Sequence, residues 1–106
     1  MSDVRLVFMT APDEALAAQI AEALIAQELV ACANILPGIR SLYRWEGEVC
    51  DDPEVLVIFK TLEGKVPLVT ERIQALHPYD CPEVVSIAVD GGSPAYLAWV
   101  GASVRS

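Results

Sequence analysis

The run EVLVIFKT, residues 54–61, is almost unbroken apolar and rich in β-branched side chains. A run of this kind reads as a strand at the centre of a sheet, so the rest of the chain must supply its neighbours. VRLVFM, residues 4–9, is a second strand of the same character. The fold class follows from what lies between and after these two.

TAPDE follows the first strand. Thr10 stands three residues before Asp13 with Pro12 between them, which is a helix-start signature. Leu16, Ile20 and Leu24 then recur at helical spacing on an alanine-rich background, predicting a helix over 12–28. From Ile35 the chain reads as extended, with a bend at Pro37-Gly38. Because proline cannot donate to a sheet ladder, this strand belongs at an edge or is bulged there. Side chains alternate along a strand, so Tyr43 and Trp45 share a face. Glu46-Gly47 is a tight-turn pair, and the acidic stretch Asp51, Asp52 and Glu54 reads as a solvated turn, without the spacing and glycine of a calcium loop.

A second helix is predicted over 63–77, where Val66, Val69, Ile73 and Leu76 form one stripe. Pro67 is tolerated only in the first turn. His77 precedes Pro78, and a residue before proline is pushed out of the helical region, so the helix ends there. EVVSIAV is a fourth strand, GGS a loop, and Ser93-Pro94 the start of a short terminal helix. The order βαββαβα predicts one α+β domain over 1–106. Its architecture is a ferredoxin-like sandwich: a four-stranded antiparallel sheet with both main helices on one face and the first and third strands in the centre.

Composition narrows the function classes. Hydrophobic residues make up 54% of only 106 positions. Small domains bury a modest fraction of their surface, so this share predicts self-association. The formal net charge is −8, and the seven basic residues, Arg5, Arg40, Arg44, Lys60, Lys65, Arg72 and Arg105, are scattered. That argues against nucleic acid and acidic membranes as partners. The start MSDVRLVFMT lacks the basic-then-apolar pattern of a signal peptide, and no apolar run approaches the roughly 18 residues of a membrane span. Cys32, Cys50 and Cys81 form no C-x-x-C, which predicts reduced thiols in the cytoplasm.

His77, the one histidine, reads either as a metal ligand or general base, or as a helix-terminal side chain favoured by the helix dipole. Cys81 and Cys50 have carboxylate neighbours that disfavour a thiolate, and Cys32 reads as a small buried side chain. Tyr43, Trp45, Tyr79, Tyr96 and Trp99 read as ordinary core or as a subunit interface or inter-subunit pocket. No G-x-S-x-G, P-loop or dinucleotide fingerprint is present, and a Cys-His pair would lack a third, orienting group. A hydrolase of the acylphosphatase kind needs a donor-rich anion loop after the first strand, whereas TAPDE brings two carboxylates and no glycine.

In order and spacing, TAPDE, ACANILPG, SLYRWEGEV, the KT that closes the third strand, HPYDCPE and YLAW together resemble the CutA divalent-cation tolerance family over essentially the whole chain. The resemblance implies a non-enzymatic, cytoplasmic homotrimer similar in assembly to the PII signalling proteins, with a role in tolerance to copper and other divalent metals. No cofactor is required, and a copper ion is the candidate ligand. His77 matches the family's HPY histidine, implicated in copper binding in some members, and Cys32 matches the cysteine of ACxN. Those members also use a cysteine before TAP and a histidine before HPY, where this chain has Met9 and Leu76. Methionine is a soft ligand acceptable to Cu(I), and leucine is none. The expected metal residues are therefore His77, Met9 and Cys32. Tyr43, Trp45, Tyr79 and Trp99 are expected at the interface or pocket, and no residue is assigned to catalysis. One rival is a PII-like regulatory module that binds a small molecule or a protein between subunits. The other is a small hydrolase with polar groups converging at TAPDE and His77.

Overall fold

Period-two burial in the two central strands organises the chain. The computed structural model describes residues 2–104; Met1, Arg105 and Ser106 lie outside the described residues. The elements are β1 (Val4–Ala11), α1 (Glu14–Ala26), β2 (Cys32–Trp45), β3 (Glu48–Leu62), a single 3-10 turn (Glu63–Lys65), α2 (Val66–Leu76), β4 (Val84–Ala88) and α3 (Pro94–Ser103). The sheet is antiparallel, ordered β2-β3-β1-β4, with β1 and β3 central as expected. This is the ferredoxin-like α+β arrangement.

Val7 pairs with Phe59, Met9 with Val57 and Ala11 with Val55. All six side chains belong to the buried core, with Ala17, Ile20 and Leu24 of α1 and Val69 and Ile73 of α2. The even-numbered residues point the other way. There Phe8 opposes Val85, Leu6 opposes Ile87 and Leu36 opposes Leu56, and Leu36, Val85 and Ile87 remain exposed. α3 packs against β3 and β1 with Val100 fully buried, and near its start the Tyr96 hydroxyl lies 3.6 Å from Cys32 Sγ.

Several boundaries differ from the sequence reading. β2 begins at Cys32 and not at Ile35, and the helix expected over 63–77 is a 3-10 turn (Glu63–Lys65) followed by α2 (Val66–Leu76). β1 continues through Ala11, so Thr10 is a sheet residue and not a helix cap. Asp13 is the cap: its backbone is extended, and its Oδ1 accepts from the Leu16 amide at 2.8 Å. The helix accordingly covers Glu14–Ala26, shorter than 12–28. β3 starts at Glu48, so the acidic stretch expected as a turn is strand. Its ladder with β2 runs from Trp45↔Glu48 to Cys32↔Lys60, with a register shift between Leu36 and Ile39 where Pro37 and Gly38 sit. Glu46 and Gly47 make the hairpin turn, both at positive φ (49° and 81°), the pairing that matches strand twist.

Asp13→Ala should lower stability by about 1 kcal/mol in urea denaturation, whereas Asp13→Asn should cost much less, because asparagine caps nearly as well.

Candidate functional site

The candidate site forms where β1 ends. Pro78 forces His77 into an extended conformation (φ −86°, ψ 139°), although its amide still closes the helix on Ile73 O at 2.8 Å. The ring therefore turns back toward β1. His77 Nε2 donates to the Thr10 carbonyl at 2.8 Å, and Nδ1 accepts from the Tyr79 amide at 3.2 Å. These two bonds assign the proton to Nε2 and the lone pair to Nδ1. The side chain is 7% exposed.

The same turn lays Tyr79 over the imidazole, with ring centroids 4.5 Å apart. The Tyr79 hydroxyl donates to Glu54 Oε2 at 2.9 Å. Burial first, then the bond to Glu54 and nearby carboxylate charges, push this phenol from 10.0 up to about 12. One register step along the ribbon, the Tyr43 hydroxyl donates to Asp52 Oδ2 at 2.5 Å, and that bond raises its pKa well above the ordinary tyrosine range. On the other face of the ribbon Arg40 grips Asp51 with two bonds, Nε to Oδ1 at 2.8 Å and Nη2 to Oδ2 at 2.6 Å. The pairing raises the arginine pKa and lowers that of the aspartate. Both partners are exposed, so this ion pair adds little to stability.

Between the ribbon and the loop after α2 lies a groove of about 950 Å³. Tyr43, Trp45 and Tyr79 line it with Thr10, Pro12 and the carboxylates of Asp52 and Glu54. The structure thus brings together three of the four aromatic residues expected at an interface or pocket. Trp99 lies apart on α3, its ring 5.6 Å from that of Tyr96. His77 sits under Tyr79 with both nitrogens engaged. Met9 is fully buried in the core, and Cys32, half-buried at the start of β2, meets Tyr96. Cys81 is exposed at the groove's edge. Among the described residues no group of three or more His, Cys, Asp and Glu is placed to hold a metal ion. TAPDE and His77 do meet, through the Thr10 backbone carbonyl.

Glu54 and Asp52 were missing from the sequence-based site. For Asp52 the signal was there: counting outward from the Glu46-Gly47 turn puts Tyr43 opposite Cys50, next to Asp52 on one face.

The family model of the CutA1 divalent ion tolerance protein matches residues 5–103. A divalent-cation tolerance protein CutA of Thermus thermophilus is 45% identical over 95 residues, covering 90% of this chain and 92% of that protein. A CutA protein of Mus musculus is 42% identical over 92% of this chain but only 55% of its own length. The crystal structure of CutA from Xylella fastidiosa superposes with a TM-score of 0.95 at 38% identity, covering 98% of this chain and 100% of the other.

Tyr79 contributes stability that is intact below its unfolded pKa of 10.0 and is lost as pH climbs through about 12. Tyr79→Phe should flatten that alkaline loss. In ultraviolet difference titration, Glu54→Gln should bring the Tyr79 transition part of the way down, burial keeping it above 10.0.

Proposed function

The chain belongs to the CutA1 divalent ion tolerance family, and from that premise we propose that it works without catalysis, as a homotrimer in the cytoplasm that meets divalent metal ions, copper among them, at sites completed between chains. The observation that carries the assembly is the ribbon. β1 ends at Ala11 opposite Val55, so from Glu48 to Glu54 β3 has only β2 as a neighbour. The molecule is correspondingly long, 44 × 25 × 22 Å. Leu42 is 63% and Val49 69% exposed, and Tyr43 and Trp45 are also open. A two-stranded ribbon is marginal in water on its own, and clustered exposed apolar side chains signal a partner surface. The bare sheet face at Leu36, Val85 and Ile87 supports the same reading.

Metal is cargo in this reading, because among the described residues no group of three donors forms a resident site. Any ion reaching His77 Nδ1 must displace the Tyr79 amide, and Met9 offers no accessible sulfur. Further ligands for an ion at His77 would come from a neighbouring chain. The free thiols of Cys32, Cys50 and Cys81 suit a reducing compartment. Among the described residues no helix is long and apolar enough to cross a membrane.

The aromatic groove favours a second reading, a PII-like regulatory module that takes a small molecule.

At micromolar concentration the protein should sediment as a trimer, and Leu42→Asp should dissociate it; a monomeric wild type refutes the assembly. Calorimetric titration with Cu(II) should show binding that His77→Gln weakens at least tenfold, and equal binding by the two proteins removes His77 from the site.

A further inference from the structure

We infer that the groove beside the ribbon binds a small organic cation, an amine or quaternary ammonium, between its aromatic walls and the buried Glu54 carboxylate. The inference rests on the small-molecule reading of the groove and deepens it.

The charge balance comes first. Glu54 is only 8% exposed, and one of its oxygens accepts from the neutral Tyr79 phenol. Among the described residues no cation pairs with it. The groove wall thus carries a carboxylate that no positive side chain neutralises, and a positive group arriving from outside would complete it. Asp52, exposed on the ribbon, is likewise bonded to a neutral phenol, that of Tyr43. Asp80 and Glu83 add two more acids to the lining. Arg40 is the basic side chain in the wall, and it is already tied to Asp51. Phosphorylated effectors are therefore repelled.

The walls choose among cations. Tyr43, Trp45 and Tyr79 present rings whose faces are negative, and such rings attract ammonium groups that have shed their water. A hydrated divalent ion gains little from them. It needs several donors converging at short range, and no such group of three exists among the described residues. The volume of about 950 Å³ also suits a molecule and far exceeds a bare ion.

Choline is the probe. Its neutral carbon isostere, with a tert-butyl group in place of the trimethylammonium, is the control. Isothermal calorimetry on the full chain should show saturable choline binding, with the isostere roughly tenfold weaker or worse. Glu54→Gln should weaken choline by a similar factor and leave the isostere unchanged. Asp52→Asn, on the exposed ribbon, should weaken choline in the same direction and serves should the buried variant fail to fold. Trp99→Phe, outside the groove, should leave binding intact. Equal binding of choline and isostere, indifference to both carboxylate variants, or no choline binding because a neighbouring copy fills the groove would each overturn the inference. Sedimentation of the same samples separates the two failures. An intact trimer that ignores choline overturns only the organic cation, whereas a monomer overturns the assembly.

Discussion

β3 is 15 residues long and its inner neighbour β1 only 8, and the mismatch governs everything beyond the core. Along Leu56–Lys60 the strand has partners on both edges, and Val55, Val57 and Phe59 are buried in the core with residues of α1 and α2. Pro12 ends β1, and Pro53 brings no N–H to the edge that β1 vacates. Beyond that point β2 and β3 continue as a ribbon with solvent on two faces and a free edge. The stable half of the sheet thus carries a half that is incomplete alone, and the ribbon's exposed Leu42, Trp45 and Val49 face that deficit.

The boundary between the halves is where the polar chemistry gathers. A strand end leaves backbone groups without ladder partners, and here the His77 ring satisfies the Thr10 carbonyl. His77 in turn orients the Tyr79 amide, and the Tyr79 hydroxyl reaches Glu54 on the first residue of β3 past the end of β1. One chain of hydrogen bonds therefore links the end of α2, the end of β1 and the root of the ribbon. The histidine that reads as a metal ligand also has this structural task, and the groove borders the same knot.

Most of the fold was legible because it rests on local rules. Pro78 after His77 predicted the end of α2, the Glu46-Gly47 pair predicted the hairpin, and the apolar run 54–61 predicted a central strand. Thr10 and Asp13 show the limit. Both suit a cap, and only the reach of β1, set by pairing with β3, decides between them. The acidic stretch Asp51–Glu54 reads as a turn because carboxylates avoid strands. It is strand because Arg40, Tyr43 and Tyr79, distant in sequence, receive those carboxylates. The aromatic trio was identifiable from an edge strand and an HPY turn. The buried Glu54 was not, since its burial depends on a loop 25 residues away.

The central claim is that the ribbon is completed only by another copy of the chain. Amide hydrogen exchange over residues 40–45 and 48–53, followed across protein concentrations that span assembly, tests it most directly. The account predicts fast exchange in dilute monomer and strong protection once the protein assembles, while the core amides of residues 55–61 stay protected throughout. Ribbon amides that are equally protected at every concentration in a protein that remains monomeric would contradict it.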